Sequence, residues 1–332
     1  MKTSTSKTIR MIRLSCAAAS LMIGGMMAVS GPASAQQFPS KPISIITNVG
    51  PGSNFDRQAR VFAEKLKDKL GVPVVVQNVP GGQGILATQR VLNAKSDGYT
   101  LLFAGSSVAL TPLVMPSAGY KPEDFEALAP IGQSPFILFV SSAVPSTDIP
   151  SFVQYLKTNR KDVNVGVLTS SPVTVMLARK FAKLAGGELT EIGYRGSPDT
   201  MAGLLMNDIQ MMYTSYQIAA PHLTAGKIKA IGTLAEDRSQ LMPDLPTFKE
   251  KGHPLTIHVW AVLYGKSDLP PDVRKIIREA SREIVTSQEY IKALGPTGME
   301  PWNIPFDSVH AVVKEDAEQF IKDAKEFNVK FE

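Results

Sequence analysis

Apolar and polar residues alternate along the chain in blocks of two kinds. Short continuous apolar runs, such as ISIIT at 43–47, predict buried strands. Longer segments between them carry apolar residues every three or four positions, as at Ala59, Phe62 and Leu66, which predicts amphipathic helices. Gly71 follows the first of these helices as its stop signal. Strands that alternate with helices predict an α/β fold with mostly parallel sheets flanked by helices.

Two continuous apolar strands differ from the others, PFILFV at 135–140 and HVWAVLYG at 258–265. Three further strand–helix repeats lie between them. This order predicts two lobes joined by two hinge strands, in which the chain leaves the first domain, builds the second and returns. We therefore expect domain I to comprise 36–137 and 256–332, and domain II to comprise 138–255.

The N-terminus predicts export. Four basic residues lie within the first 13 positions, an apolar run begins at Cys16, and ASA at 33–35 matches a cleavage site. This pattern is typical of a secretory signal peptide over residues 1–35, so we predict a periplasmic protein; a retained membrane anchor is the alternative. Cleavage would lower the formal net charge from +5 to +1 and remove the only cysteine. The remaining chain has no basic block for nucleic acid.

Ligands of open parallel sheets bind beyond the carboxyl ends of the strands, in the loops that lead into helices. Nearly all of these loops are rich in Gly, Ser and Thr and poor in charge, with Asp56 and Arg195 among the exceptions. Backbone N–H groups at helix N-termini favour an anion such as a carboxylate. The alternative is that these residues only start helices, for which they are also preferred. The loops are at 50–56, 105–111, 168–174, 194–200 and 214–217.

Enzyme and cofactor signatures are missing. The four histidines have no metal-binding spacing, and the loop GPGSNFD at 50–56 lacks both the lysine of a phosphate loop and the third glycine of a dinucleotide fingerprint. No nucleophile-elbow motif occurs. We therefore predict no cofactor, no metal site and no catalysis.

Several longer motifs carry a resemblance. The chain contains FPSKPISIITNVGPGSNFDRQAR, GVPVVVQNVPGGQG, SDGYTLLFAG, IGYRGS, PHLTAGKIKAIGTLAEDRSQLMPDLPTFKEKG and LPPDVRKIIREA in this order. In these stretches it resembles the Bug family of periplasmic solute-binding proteins, which serve tripartite tricarboxylate transporters. The resemblance covers essentially the whole chain after the predicted signal peptide.

The resemblance implies a type II Venus-flytrap fold that closes on a ligand between its lobes. It also implies that one carboxylate of the ligand is held by Gly50 to Asp56 and by Tyr194 to Pro198, largely through main-chain groups and water. The expected partners are a small carboxylate and the membrane subunits of a transporter, and the protein is expected to be a monomer. The expected ligand-binding residues are Gly52, Ser53, Asn54, Phe55, Asp56, Ser106, Ser107, Thr169, Ser170, Ser171, Arg195, Gly196, Ser197, Thr214 and Ser215. We expect Asp56 to cap the following helix, with any ligand contact secondary.

Three departures from the family pattern suggest a ligand class. Ser53 replaces the second glycine of the family's P-G-G, Phe55 replaces a small residue, and Thr214 with Ser215 replaces an acidic strand end. Phe55 could lie against an aromatic ring, while the neutral strand end could accept a second carboxylate. The hypothesis is an aromatic dicarboxylate such as terephthalate. The alternative is that Phe55 packs into the first lobe.

Two other functions compete with solute binding. An exported enzyme could use Asp56 as a base and a serine as a nucleophile, although the motif loops show no histidine or lysine for such a site. A sensory protein could present the same ligand to a receptor, and its binding chemistry would be identical.

Overall fold

The structure is a computed structural model, and it describes residues 38–169, 171–257 and 259–329. The predicted signal peptide, Ser170 and His258 lie outside the described residues.

The described residues form ten strands and ten α-helices that largely alternate. The strands are β1 (Ile43–Thr47), β2 (Val74–Asn78), β3 (Thr100–Ala104), β4 (Phe125–Gln133), β5 (Phe136–Ser141), β6 (Asn164–Leu168), β7 (Thr190–Tyr194), β8 (Met211–Ser215), β9 (Ile228–Thr233) and β10 (Trp260–Lys266). The helices are α1 (Asn54–Leu70), α2 (Ile85–Leu92), α3 (Ser107–Val114), α4 (Ile149–Asn159), α5 (Pro172–Leu184), α6 (Ser197–Met206), α7 (Tyr216–Thr224), α8 (Pro271–Val285), α9 (Gln288–Leu294) and α10 (Val309–Glu326).

The strands assemble into two five-stranded sheets with the same pattern. The first sheet has the order β2-β1-β3-β10-β4, and the second has the order β7-β6-β8-β5-β9. We call the first sheet with its helices α1–α3 and α8–α10 the first lobe, and the second sheet with α4–α7 the second lobe. The predicted two-lobed α/β fold is confirmed.

Each sheet contains one strand that runs against its neighbours. In the first lobe β10 is antiparallel to both β3 and β4, and in the second lobe β5 is antiparallel to both β8 and β9. These are the strands by which the chain enters a sheet directly from the other lobe. Only Ser134 and Pro135 separate β4 from β5, so no crossover helix can turn the chain back.

Each lobe has its own aromatic core. Helix α1 buries Phe62 against the sheet, and its ring meets Tyr290 edge-on at a centroid distance of 6.2 Å. In the second lobe, Phe181 of α5 stacks on Tyr213 at 5.4 Å and meets Phe248 edge-on at 5.2 Å. Such edge-on and offset pairs are the preferred geometries of aromatic rings.

The segments that connect the lobes run side by side. The Ser134 N–H donates to the Val259 carbonyl at 2.6 Å, and the Leu234 N–H donates to the Phe136 carbonyl at 2.8 Å. Leu234 also accepts a bond from the Ile257 N–H at 2.7 Å. The ladder between the segments positions the strand ends of both sheets opposite one another. The residue limits of the two domains stay predictions.

The C-terminal helix α10 contacts both lobes. It packs on β4 and α3 of the first lobe, and its last turns reach α5 of the second lobe. There Lys180 forms an ion pair with Asp323, and Lys183 forms one with Glu326 at 2.7 Å. Arg179 donates to the Phe327 carbonyl at 2.9 Å. The lobes are therefore tied on this flank by the helix as well as by the connecting segments.

Candidate functional site

The loop between β1 and α1 turns sharply and then starts a helix. Gly52 has a φ of +81°, a region that favours glycine. Ser53 is the N-cap of α1, and its hydroxyl accepts the Asp56 N–H at 3.2 Å. The expectation that Asp56 caps the helix is therefore wrong. Asp56 is the third residue of α1, and its side chain folds back over the turn instead.

The Asp56 carboxylate holds this loop together. It is 2% exposed, and it accepts bonds from the Gly52 N–H at 2.8 Å and from the Asn78 amide at 2.8 Å. Arg60 adds a bond at 3.1 Å and an ion pair at 3.0 Å. Burial raises the pKa of Asp56, but the hydrogen bonds from Arg60, Asn78 and Gly52 outweigh it and the pKa is lowered. The carboxylate is thus ionised and its oxygens are occupied.

The first turn of α1 offers two amides to a ligand. Within the described part of the chain, the N–H groups of Asn54 and Phe55 have no protein acceptor, whereas that of Ser53 donates to Gly50 and that of Arg57 donates to Ser53. Free N–H groups at a helix N-terminus lie at the positive end of the helix dipole. This is the geometry of an anion-binding site.

Phe55 packs against the first lobe. Its ring meets that of Phe103 edge-on at a centroid distance of 6.4 Å. A Cβ added at Gly105 would come within 3.2 Å of the ring, so Gly105 leaves the room that Phe55 occupies. The ring is half-buried, and its remaining surface is open. This contact favours the packing alternative over a free stacking surface.

The loop before α3 lies beside the β1–α1 loop. Helix α3 begins at Ser107, whose hydroxyl accepts the Asn48 side-chain amide at 2.9 Å. A Cβ at Gly84 would stand 3.0 Å from that amide and 3.3 Å from the Ser107 hydroxyl. Ser106 precedes the helix and is half-buried. Asn48 was absent from the expected site residues, although it directly follows the predicted first strand.

The second lobe contributes two loops that contact each other. Thr169 donates to the Tyr194 carbonyl through its N–H at 3.0 Å and its hydroxyl at 3.2 Å. Gly196 precedes α6 and accepts the Thr200 N–H at 3.1 Å, and Ser197 is the first residue of that helix. Thr169 and Arg195 are exposed.

Ser171 is the N-cap residue of α5, but its side chain makes no capping bond. Ser170, also expected at this site, lies outside the described residues.

The end of β8 brings the two lobes together. Thr214 and Ser215 are its last residues, and both are buried. The Asn54 side-chain amide donates to the Ser215 hydroxyl at 3.3 Å. Residues expected at the site from opposite lobes are therefore in contact, although 161 positions separate them in the chain.

Two residues at this contact were missed by the sequence analysis. Arg57 follows Asp56 directly, and Gln217 ends the loop that begins at Thr214; their side chains bond at 2.9 Å. The signal in the sequence that could have indicated Arg57 and Gln217 was their position next to expected site residues. Their pairing could not be predicted, because it depends on how the lobes meet.

A cavity of about 260 Å³ lies near these loops, between α3, α5, α10 and the connecting segment at 254–260. Trp260 forms part of its wall, and the Trp260 indole donates to Asp316 at 2.8 Å. Among the expected site residues that the structure describes, Ser106 alone lines this cavity.

The described residues lack two further features. No cluster of three or more side chains suited to metal binding occurs among them. Within the same ranges, none of the helices combines the length and the apolar character that a bilayer crossing requires.

A family model described as the tripartite tricarboxylate transporter family receptor matches residues 58–327. The chain belongs to this family. It is 31% identical to a UPF0065 protein of Bordetella pertussis over 284 residues, which cover 84% of this chain and 86% of that protein. It is 27% identical to Protein BugT of the same organism, covering 93% of this chain and 97% of BugT. The resemblance to the Bug family is confirmed, and this receptor is a solute-binding protein of that type.

Solved structures agree with the fold. A structure described as a periplasmic transporter is 27% identical, covers 88% of this chain and 99% of its own, and has a TM-score of 0.73. Rpa4515 of R. palustris, solved with adipate, has a TM-score of 0.74 at 22% identity, with coverage of 88% and 99%. MatC of Rhodopseudomonas palustris, solved with malate, has a TM-score of 0.66 at 22% identity, with coverage of 87% and 98%.

Proposed function

We propose that this receptor captures a small carboxylate between its lobes in the periplasm and delivers it to a tripartite tricarboxylate transporter without converting it. The first-lobe grip is the turn at Gly52 and the first turn of α1. The second-lobe grip is the pair of loops at 168–174 and 194–200. The expected site residues at both grips, including Ser106 and Ser107, are proposed to line the cleft.

One observation carries this proposal. The amides of Asn54 and Phe55 point from the start of a helix with no protein acceptor among the described residues, and the Asn54 side chain already touches Ser215 of the opposite lobe. A carboxylate at these amides would lie beside the contact between the lobes. A formal cation is not needed, because the helix terminus supplies positive potential.

Isothermal calorimetry with a panel of acids tests the proposal. The panel contains benzoate, malate, adipate, terephthalate and citrate, with the uncharged diamide of terephthalic acid as a matched control. We expect at least one acid to bind with micromolar or tighter affinity and the diamide not to bind. If no acid in the panel binds, carboxylate capture is contradicted.

An aromatic dicarboxylate such as terephthalate remains our more specific proposal. The neutral strand end at Thr214 and Ser215 supports it, because a second carboxylate there meets no acidic side chain on that strand end. The packing of Phe55 on Phe103 limits ring stacking to the part of Phe55 that stays open. Proteins of this fold have been solved with adipate and with malate, which are aliphatic diacids.

The Phe55→Ala variant separates the two roles of the ring. If Phe55 contacts the ligand, the variant loses affinity for terephthalate more than for adipate, since only the aromatic acid can stack on Phe55. If Phe55 only packs on Phe103, the variant loses the same affinity for both acids or loses none. Unchanged affinity for terephthalate would contradict the stacking role.

The binding role is supported over the enzymatic one by the state of Asp56. A general base needs a pKa near the working pH and an oxygen within reach of substrate. The pKa of Asp56 is lowered, and its oxygens accept bonds from Gly52, Asn78 and Arg60. Mass analysis of a bound acid after prolonged incubation tests this, and we expect the acid to be recovered unchanged.

A further inference from the structure

We propose that Arg57 and Gln217 form a latch that holds the lobes closed and thereby sets how long a ligand stays bound. The inference rests on the proposed function, because it concerns release from the same cleft. Arg57 lies on α1 of the first lobe, and Gln217 lies on α7 of the second. Both are positioning residues that act through the loops they hold.

Arg57 joins the carboxylate loop to the other lobe. Its guanidinium donates to the Gly52 carbonyl at 2.6 Å and to the Asn54 side-chain oxygen at 2.6 Å, both within its own lobe. It also donates to the Gln217 side-chain oxygen at 2.9 Å. The planar fork of arginine suits such multiple bonds, because its donors are fixed relative to one another.

The bond to Asn54 extends the latch. While its oxygen accepts from Arg57, the Asn54 side-chain nitrogen donates to the Ser215 hydroxyl at 3.3 Å. Arg57 therefore also orients the second contact between the lobes. Both contacts lie within three residues of the free amides at Asn54 and Phe55, so closure and ligand capture share one structural element.

Gln217 is anchored from the first lobe on its other side. Its amide nitrogen donates to the Pro296 carbonyl at 2.5 Å. A Cβ added at Gly298 would lie 2.6 Å from the Gln217 side chain, so the glycine allows the amide to lie flat against the loop. The Gln217 side chain is thus held between Arg57 and the loop at 295–298.

Arg60 serves a different purpose although it lies one turn away. Its guanidinium bonds Asp56 and Asn78, which both belong to the first lobe. Among the described contacts of the two arginines, Arg57 bonds a residue of the second lobe, whereas the bonds of Arg60 stay within the first lobe. The bond between Arg57 and Gln217 is exposed to solvent, so it is weak enough to break and reform in every binding cycle.

Double electron–electron resonance without ligand tests closure directly. Spin labels on Leu86→Cys and Met206→Cys report the distance between the lobes in a Cys16→Ser background, since the chain has no other cysteine. Both label positions are exposed. We expect Arg57→Met and Gln217→Leu to shift the distribution toward longer distances. Arg90→Met is the matched control, because Arg90 is an exposed arginine of the first lobe that bonds Gln77 in the same lobe.

Stopped-flow release of an acid identified by calorimetry gives the second readout. We expect Arg57→Met to speed release about tenfold with little change in the association rate, since a net hydrogen bond changes an equilibrium by roughly that factor. The double variant Arg57→Met with Gln217→Leu should release the acid at most about tenfold faster than the native protein, because the effects of coupled residues are not additive. Arg57→Lys should release the acid more slowly than Arg57→Met but faster than the native protein.

The outcomes are distinguishable from failure of the proposed function. If no acid binds, carboxylate capture fails, and the ligand-free distances still decide the latch. Distances that stay the same in both latch variants would overturn the latch. Release rates equal to those of Arg90→Met, or fully additive effects in the double variant, would also overturn it.

Discussion

The first-lobe loop at 50–56 and the second-lobe loops at 168–174 and 194–200 are built differently. Asp56 is buried and closes a network with Gly52, Asn78 and Arg60. In the second lobe the described bonds of the loops come from hydroxyls and main-chain groups instead. Thr169 donates to the Tyr194 carbonyl through its N–H and its hydroxyl, and the buried Thr174 hydroxyl accepts the Leu168 N–H at 2.9 Å. Thr169 and Arg195 face solvent. The loop proposed as the first-lobe grip is therefore held in shape by bonds within the protein itself.

Under the proposed function, the two kinds of loop suit different roles in binding. A loop fixed by a buried carboxylate offers its amides in one geometry, which suits a group that every ligand shares. Loops with exposed side chains, such as those of Thr169 and Arg195, can change sequence without loss of the core. We infer that the first lobe recognises a carboxylate, while the second lobe accommodates the rest of the ligand.

The largest expected effect comes from removing the carboxylate of the first grip. We expect Asp56→Ala to lower the free energy of unfolding by about 2–3 kcal/mol, because it removes the acceptor of the Gly52 N–H and one of the two acceptors of the Asn78 amide. The Asn78 amide keeps its bond to the Val49 carbonyl, and the half-exposed Arg60 can turn to solvent. Urea denaturation measures this.

Asp199 is the matched control for Asp56. It is also the third residue of a helix, α6, but it is exposed. Asp199→Ala should cost less than about 1 kcal/mol, which is the range of an exposed charge near a helix N-terminus. Equal losses in the two variants would contradict the contrast between the grips.

The next effect compares two capping serines. Ser53→Ala removes the bond to the Asp56 N–H and should cost about 1 kcal/mol, as lost N-caps do. Ser171→Ala removes a side chain that makes no capping bond, so its cost should stay within about 0.5 kcal/mol. Thermal unfolding of both variants checks the pair. If Ser171→Ala is the more damaging, the second grip is more tightly built than the contacts show.

The pH dependence of stability tests the lowered pKa of Asp56. Because the pKa of folded Asp56 is lowered, its contribution is fully present above the unfolded value of about 3.9 and is lost as pH falls through the folded pKa. The stability difference between the native protein and Asp56→Asn should shrink as pH is lowered from about 5 to 3. A difference that does not change with pH would contradict a lowered pKa.

Glu300 should behave in the opposite way. It is 4% exposed and accepts bonds from Ser239 and from the Leu241 N–H at 2.9 Å. Burial raises its pKa more than these bonds lower it. Its contribution is fully present below the unfolded value of about 4.3 and is lost as pH rises through the folded pKa.

Glu300→Gln tests that sign. The variant should gain stability relative to the native protein as pH rises from about 4 toward neutrality, since only the native side chain must bury a charge. Denaturation at several pH values measures this difference. A relative loss over the same range would show that the charged form is the stabilised one.

Much of the fold followed from local patterns. Continuous apolar runs predicted buried strands such as β1, and the helical spacing of Ala59, Phe62 and Leu66 predicted the buried face of α1. These predictions succeed because side-chain periodicity reflects which face of an element meets the core. The glycine-rich loops were placed at strand ends for the same reason.

Other features depended on contacts that sequence patterns do not encode. The direction of Phe55 depends on the room beside Gly105, and the role of Asp56 depends on Asn78 and Arg60. The contact of the C-terminal helix α10 with both lobes needs the lobes to be in place.

Sequence patterns predicted the element types, the two-lobed arrangement and the family, because short-range periodicity, turn residues and ordered motifs encode them. Contacts between distant residues decide instead that the Asp56 carboxylate holds its own loop together with Asn78 and that Arg57 meets Gln217. Those outcomes join residues up to 160 positions apart. Their geometry is set by how two sheets are joined through the connecting segments, which no local pattern specifies.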